Sequence, residues 1–163
     1  MNEIVIRKAE QQDHEAIWQI IREVISRGDT YVFSPDSSRK KMLDYWCSEH
    51  CHTYVAVMDR AVAGTFIIKD NQPDLGSHVS NASFMTAPKY EGRGVGRALG
   101  EYALKEAKRL GYKSMQFNIV VKANEVAVRL WQKLGFRIVG EVPEAIRQSS
   151  GEFVNAYIMW RDL

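Results

Sequence analysis

The sequence lacks any apolar run long enough to cross a membrane, and it carries only two cysteines, four prolines and a formal net charge of +2. So small a charge does not favour a nucleic-acid or membrane surface, and neither is an expected partner. The first residues carry Glu3 and no long apolar stretch, which predicts a cytoplasmic protein without a signal peptide. The 163 residues, 45% hydrophobic and 26% charged, are typical of one globular domain with its own core. We therefore expect a single domain over residues 1–163.

Cys47 and Cys51 lie in the segment YWCSEHCH together with His50 and His52. These residue types bind zinc, but a structural zinc site usually joins two separated pairs of ligands, and here all four candidates crowd into one short segment. We expect ordinary thiols at the end of a helix, and no metal. A disulfide is not expected in a reducing compartment.

Hydrophobic periodicity predicts strands and helices in the order β-α-α-β-β-β-α-β-α-β-β. The strands are predicted at residues 3–9, in two stretches of 53–70 joined at Asp59 and Arg60, and at 78–87, 114–121, 136–140 and 153–160. The helices are predicted from Asp13 to Gly28, at 37–49, from the glycine-rich segment to Leu110, and at 125–134. The first helix has an apolar stripe of Ile17, Ile20, Ile21, Val24 and Ile25. This order indicates an α+β, or mixed α/β, fold.

The segment GDTYVFSPDSS between the first two helices is predicted to be a loop, because glycine, proline, aspartate and serine dominate it. It nevertheless contains Tyr31, Val32 and Phe33, which a merely solvated loop does not need. Its aromatic side chains favour a covered small-molecule pocket.

Three glycines at alternate positions, Gly92, Gly94 and Gly96, run into an amphipathic helix. The spacing excludes the phosphate loop of nucleoside triphosphatases, because Arg97 stands where a lysine is required, and it excludes the dinucleotide fingerprint, whose third glycine is missing. A loop without Cβ atoms lets backbone N–H groups converge on an anion, and the helix that begins there adds the positive end of its dipole. The segment therefore predicts an anion site that a pyrophosphate fits, with Arg93 and Arg97 beside it.

The segment PKYEGRGVGRAL resembles the pyrophosphate loop of the GNAT superfamily of acetyl-CoA-dependent N-acetyltransferases. NEVAVRLWQKLGF, from Asn124 to Phe136, resembles the second signature of that superfamily, and two segments in the right order are more specific than either one. The resemblance covers nearly the whole chain. It implies a GNAT-like fold, with a central mixed sheet of about seven strands flanked by four helices. It also implies direct acetyl transfer from acetyl-CoA to an amine, without an acyl-enzyme or a metal, and it leaves open a homodimer.

The same resemblance implies where the cofactor binds. The pyrophosphate is expected on the glycine loop and the pantetheine arm along the strand that ends at Met85 and Thr86, where a backbone N–H near Met85 polarises the thioester carbonyl. The implied cofactor residues are Met85, Thr86, Gly92, Arg93, Gly94, Val95, Gly96, Arg97, Asn124 and Trp131.

Two positions depart from the superfamily pattern. Glu91 stands where an arginine or glutamine is usual, and a carboxylate repels a phosphate that it faces, so we expect its side chain to point to solvent. Trp131 stands where the family commonly has a tyrosine that protonates the leaving thiolate. An indole N–H is a hydrogen-bond donor but no usable acid, so Trp131 is expected to pack along the cofactor.

Period-two alternation places Asn81 with Ser83 and Met85 on one face of their strand, and Asn118 with Gln116 on one face of theirs. If these strands border one cleft, the two asparagines can hydrogen-bond a small polar substrate. The segments SHVSNASFM and FNIVVKANEVAVRLWQKLGF, with the glycine loop, resemble the proline-analogue (azetidine-2-carboxylate) N-acetyltransferases. That narrower resemblance implies that both asparagines are catalytic and orient a cyclic secondary amine or its carboxylate, or a bound water.

On this basis Tyr31 and Phe33 are expected to wall the acceptor pocket, and His78 is a candidate base. The expected partner is a small-molecule amine, such as an amino acid or a proline analogue. Two alternatives remain open. One is acetylation of a protein N-terminus or lysine, and the other is a sensor that binds acyl-CoA without turnover.

Overall fold

The computed structural model describes residues 3–163, which form seven strands and four α-helices in the predicted order. The strands are β1 (Val5–Lys8), β2 (His52–Met58), β3 (Ala61–Asp70), β4 (Val79–Thr86), β5 (Ser114–Val121), β6 (Arg137–Arg147) and β7 (Phe153–Asp162). The helices are α1 (His14–Ile25), α2 (Arg39–Trp46), α3 (Val95–Arg109) and α4 (Glu125–Lys133). The predicted fold class is confirmed. None of the helices in this part of the chain combines the length and the apolar character needed to cross a membrane.

All seven strands belong to one sheet, in the order β1-β2-β3-β4-β5-β7-β6. Neighbouring strands are antiparallel apart from β4 and β5, which run parallel. The β4–β5 pairing is very short, because only Val79 and Ser80 find partners, at Ser114 and Met115. Beyond this point the two strands separate, and the opening between them is called the gap below.

Helices cover both faces of the sheet. Gly64 of β3 permits a close approach of α3, since a Cβ there would lie 2.9 Å from atoms of both Val95 and Leu99. The opposite face carries α2, whose Trp46 indole donates to Thr65 Oγ1 at 3.0 Å. Because successive residues of a strand point to opposite faces, Gly64 and Thr65 place α3 and α2 on opposite sides of the sheet.

Helix α1 buries the predicted stripe of five aliphatic residues, which are Ile17, Ile20, Ile21, Val24 and Ile25. The chain enters this helix through Asp13, whose carboxylate accepts from both terminal nitrogens of Arg7, at 2.7 and 2.9 Å, and from the Glu10 backbone N–H at 2.8 Å. The hydrogen bonds from Arg7, more than any other group, hold the pKa of Asp13 below its usual range. This pair ties β1 to the start of α1.

Several elements differ from their predicted bounds, among them α2 and β6. Helix α2 ends before residue 49, because Cys47 is its C-cap and leaves the helical conformation. Strand β6 continues past residue 140 to Arg147, although Pro143 interrupts the alternation on which the prediction depended. A register shift in the β6–β7 pairing accommodates the proline on an edge strand, where a missing N–H is tolerated.

Candidate active site

A cleft of about 1010 Å³ runs through the gap between β4 and β5. Residues of the α3 and α4 face line one end of it, among them Val95 and Trp131, and we call this end the cofactor side. Residues of the loop between α1 and α2 line the other end, among them Tyr31 and Phe33, and we call this end the acceptor side. One cavity therefore joins the two faces of the sheet at the point where strand pairing stops.

The predicted anion loop lies at the start of α3. Gly92 and Gly94 adopt φ values of 73° and 84°, a conformation that costs a glycine little. A Cβ at either position would meet no atom within 4 Å, so the backbone there is open to a ligand. Gly94 is the N-cap of α3, whose first-turn N–H groups have no partner within the helix. A Cβ at Gly96 would lie 3.6 Å from Leu130 of α4, so the loop forms an open cradle between two helices that fits a pyrophosphate.

Ion pairs fix the charged side chains around this loop. Glu91 is exposed, as expected, and its carboxylate also pairs with Arg27 at 2.8 Å; both residues line the cleft. Arg27 therefore offsets the negative charge that departs from the family pattern. Arg97 also lines the cleft and pairs with Glu101 at 2.8 Å, whereas the Arg93 side chain pairs with an aspartate of the β2–β3 turn and is not among the lining residues.

The edge of β4 that faces the gap presents backbone N–H groups without strand partners. The N–H of Ala87, just after β4, donates to the Ala63 carbonyl of β3 at 2.8 Å. Because N–H direction alternates along a strand, Met85 also turns its N–H toward β3, and the N–H groups of Phe84 and Thr86 face the gap. The N–H groups near Met85 that face the gap thus belong to its two neighbours, and both of these residues line the cleft.

Asn124 and Trp131 are among the residues of the second signature that line the cofactor side at α4. Asn124 is the N-cap of this helix, and its Oδ1 accepts from the Ala127 N–H at 3.3 Å, which leaves its NH₂ group for a ligand. Trp131 is 8% exposed, and its ring centroid lies 4.7 Å from those of both Phe84 and Phe117. Since these rings come from β4 and β5, Trp131 fills the widening gap between the two strands.

Both predicted asparagines line the cleft, and each is held by hydrogen bonds. Asn81 is the first residue of β4 beyond the paired section, and it donates from Nδ2 to the Gln116 carbonyl at 3.0 Å. Asn118 donates to Asn71 Oδ1 at 2.8 Å and accepts from Gln116 Nε2 at 3.0 Å. Asn81 thus replaces a missing backbone bond across the gap, while Asn118 is an exposed amide held in one orientation.

The acceptor side contains residues that the sequence patterns did not single out. Lys69 of β3 lies opposite Asn81 in the strand register and shares its face. The Lys69 Nζ lies 4.9 Å from the centroid of the Tyr45 ring, which packs edge-on against Phe33 at 5.2 Å. A signal was present, because Lys69 shares its strand face with the fully buried Ile67, where a lysine is uncommon.

A carboxylate also reaches the cleft from the loop between α1 and α2. Asp29 lines the cleft, and its Oδ1 is buried without a hydrogen-bond partner among residues 3–163. The Asp29 backbone carbonyl accepts from Gln148 Nε2 at 3.2 Å, and the Gly28 carbonyl accepts from the Ser149 N–H at 2.9 Å. The turn between β6 and β7 therefore holds this loop in place. His78, the candidate base from sequence, is exposed and does not line the cleft.

The two cysteines lie outside the cleft, where α2 ends. Burial, with a smaller contribution from Cys51, raises the pKa of the Cys47 thiol to about 11. A thiol with that pKa stays protonated at neutral pH and is a poor nucleophile.

A sequence model of the acetyltransferase (GNAT) family matches residues 17–136. The N-acetyltransferase aca1 of Schizosaccharomyces pombe is 38% identical over 99 residues, which cover 60% of this chain and 47% of aca1. This chain thus spans about half the length of that relative. The L-amino acid N-acetyltransferase AaaT of Escherichia coli is 30% identical over 163 residues, which cover 99% of each chain.

Solved structures show the same fold. A GCN5-related N-acetyltransferase from Kribbella flavida matches with a TM-score of 0.93 and 41% identity, and 98% of each chain is covered. The yncA structure of Salmonella typhimurium with acetyl-CoA matches with a TM-score of 0.89 and 21% identity, over 99% of this chain and 94% of the other. A phosphinothricin acetyltransferase of Sinorhizobium meliloti in complex with acetyl-CoA matches with a TM-score of 0.88 and 22% identity, over 98% of this chain and 88% of the other. At these low identities, the last two show a shared fold alone.

Proposed function

Because this chain belongs to the GNAT family of acetyl-CoA-dependent acetyltransferases, we propose that it acetylates the amine of a small molecule of the amino-acid or proline-analogue class. The observation that carries the proposal is the cleft that passes through the β4–β5 gap. Its acceptor side is walled by aromatic rings and amides beneath the α1–α2 loop, which suits a small polar molecule better than an extended peptide.

Acetyl-CoA would bind on the cofactor side. Backbone N–H groups of the segment from Gly92 to Arg97 would hold its pyrophosphate, and Arg97 would add a positive side chain. The edge of β4 would pair with the pantetheine arm on either side of Met85, through the N–H groups of Phe84 and Thr86. Asn124 would donate from its NH₂ group and Trp131 would offer an apolar surface. Arg93 would contribute only its backbone, since its side chain turns away.

Acetyl-CoA supplies an acetyl group activated as a thioester. In a direct transfer, the neutral acceptor nitrogen bonds to the acetyl carbon, the carbon–sulfur bond breaks, and the thiolate takes a proton from solvent. Asn81 and Asn118 would orient the acceptor from the edges of the gap, and Tyr31 and Phe33 would exclude water from it. A backbone N–H of β4 that faces the gap would stabilise the negative charge on the carbonyl oxygen.

The acceptor nitrogen must also lose a proton. Two carboxylates line the described cleft, and that of Glu91 is paired with Arg27, whereas Asp29 Oδ1 is buried and unpartnered among the described residues. We assign the proton acceptor to Asp29, acting directly or through one water molecule. Asp29→Asn is expected to lower kcat at least 30-fold while the Kd for acetyl-CoA stays unchanged; an unchanged kcat would exclude this role.

The test of the proposed function is Asn118→Ala, assayed by thiol release with a panel of amino acids and azetidine-2-carboxylate. We expect kcat/KM to fall at least 30-fold, because the acceptor loses a fixed amide, while calorimetry gives the wild-type Kd for acetyl-CoA. Asn155→Ala is the matched control, since Asn155 also makes two side-chain hydrogen bonds, to Glu141 and to the Glu144 N–H, but does not line the cleft. Full activity of Asn118→Ala, or loss of acetyl-CoA binding, would overturn the assignment.

A peptide acceptor is the competing function. An amino acid and a tripeptide with the same first residue separate the two functions, because the aromatic α1–α2 loop over the acceptor side favours the smaller molecule. Turnover of the tripeptide alone would overturn the small-molecule proposal.

A further inference from the structure

The positive side chains that line the cleft differ in whether a carboxylate already neutralises them. Arg27, Arg97 and Arg129 pair with Glu91, Glu101 and Glu125 at distances of 2.8, 2.8 and 2.9 Å. Lys133 is exposed on α4, the helix of the cofactor side. Lys69 is the partly buried cation on the acceptor side, and it forms no ion pair among residues 3–163.

The surroundings of Lys69 match the needs of an anion. Its Cα partner across the β3–β4 ladder is Asn81, and the Nζ rests over the Tyr45 ring at 4.9 Å. An aromatic face attracts the ammonium but leaves its N–H groups free to donate to a ligand. Asn71 and Asn118 add a fixed amide pair on the same side of the cleft. One cation, three amides and an aromatic ring thus line the same part of the cleft.

We propose that Lys69 binds the carboxylate of the acceptor and so restricts the enzyme to free amino acids and their cyclic analogues, against amides and simple amines. This inference rests on the proposed function and adds the group that sets its specificity. Anchored at Lys69, opposite Asn81, the acceptor would direct its nitrogen into the gap, where the acetyl group arrives from the other face. The Lys69 charge does not take part in bond making; it positions the acceptor and selects it.

The experiment compares azetidine-2-carboxylate with azetidine-2-carboxamide as acceptors, in the full chain and in Lys69→Met. Methionine keeps the length and apolar stem of lysine but removes the charge. We expect kcat/KM for the carboxylate to fall about 10- to 150-fold, the loss typical of a charge-assisted hydrogen bond, and kcat/KM for the carboxamide to stay within about twofold. The wild-type to variant ratio cancels the different amine pKa values of the two acceptors. Lys69→Arg should recover at least a tenth of the wild-type value for the carboxylate.

Lys89→Met is the matched control. Lys89 also lies over a tyrosine ring, that of Tyr90 at 5.1 Å, but it does not line the cleft. Its kcat/KM for both acceptors should equal the wild-type values, and acetyl-CoA should bind both methionine variants with the wild-type Kd, which shows that they are folded.

The outcomes separate the two proposals. Suppose that the wild type acetylates the carboxylate, and that Lys69→Met lowers kcat/KM equally for both acceptors or for neither. The role assigned to Lys69 is then wrong and the proposed function stands. If the wild type prefers the carboxamide, the carboxylate site is wrong in the same way. If the wild type acetylates no member of the amino-acid panel and only a peptide, both proposals fall.

Discussion

Replacing Gly94 with alanine separates the conformational role of the glycine loop from its role in binding. Gly94 has a φ of 84°, where a residue with a Cβ costs about 1–2 kcal/mol. No atom lies within 4 Å of the added Cβ, so no steric term adds to this cost. Gly111, just beyond the other end of α3, has a φ of 94° and is equally open. Both variants should therefore lose about 1–2 kcal/mol of stability, or roughly 2–8 °C in melting temperature for a chain of this size.

Only the Gly94 variant should lose affinity for acetyl-CoA, because Gly94 lines the cleft and Gly111 does not. The added Cβ, or the loop movement that relieves its strain, removes at least one backbone hydrogen bond to a charged phosphate. Such a bond contributes about 1.5–3 kcal/mol, which corresponds to a Kd raised about 10- to 150-fold. The Kd of Gly111→Ala should stay within about twofold of the wild type.

Calorimetric titration with acetyl-CoA and thermal unfolding of the two variants provide the test. Wild-type affinity in Gly94→Ala would refute the assignment of the pyrophosphate to this loop. A loss of stability much larger in Gly94→Ala than in Gly111→Ala would refute the view that the loop is open and unpacked.

Three further predictions address other parts of the site and the fold. Asn124→Asp keeps the oxygen that caps α4, so its melting temperature should not fall. If Asn124 binds acetyl-CoA as proposed, the new charge repels the phosphates, and the Kd for acetyl-CoA should rise about tenfold or more at low salt and less at 0.5 M salt, where the charges are screened. Trp131→Tyr and Trp131→Phe should have kcat values within about threefold of each other, because the position packs rather than donates a proton; a much faster tyrosine variant would contradict this. Asp13→Asn should lower the free energy of unfolding by about 1–2 kcal/mol at pH 7. This is the lower part of the range for a charged hydrogen bond, because the Arg7 side chain is 38% exposed and water screens the pair. Because the pKa of Asp13 is lowered in the folded state, its contribution to stability is present above the unfolded pKa of about 3.9 and is lost as pH falls through the folded value. Urea unfolding should therefore show a smaller difference in free energy of unfolding between wild type and Asp13→Asn at pH 3 than at pH 7. An equal difference at both pH values would contradict this.

Features that depend on near neighbours along the chain could be predicted from the amino-acid sequence alone. The order of elements, the buried stripe of α1 and the glycine loop before α3 follow from helical and strand periodicity and from residues without a Cβ. Alternation also placed Asn81 and Asn118 on definite strand faces, and both do line the cleft. The length of strand β6 was underestimated because Pro143 interrupts the local alternation, whereas pairing with β7 continues beyond it.

Contacts between residues that are far apart in sequence could be read only from the folded chain. The β4–β5 pairing stops after Ser80, and no local pattern states where two parallel strands part. The Arg27–Glu91 ion pair joins the end of α1 to the glycine loop, so the effect of Glu91 could not be judged from the loop alone. Lys69 faces the acceptor side because the β3–β4 register sets it opposite Asn81. Register and ion pairing arise from packing of the whole chain, whereas periodicity arises from the geometry of a single helix or strand. For this reason the sequence predicted the elements and the two asparagines, while only the structure brought Lys69 and Asp29 to the same cleft.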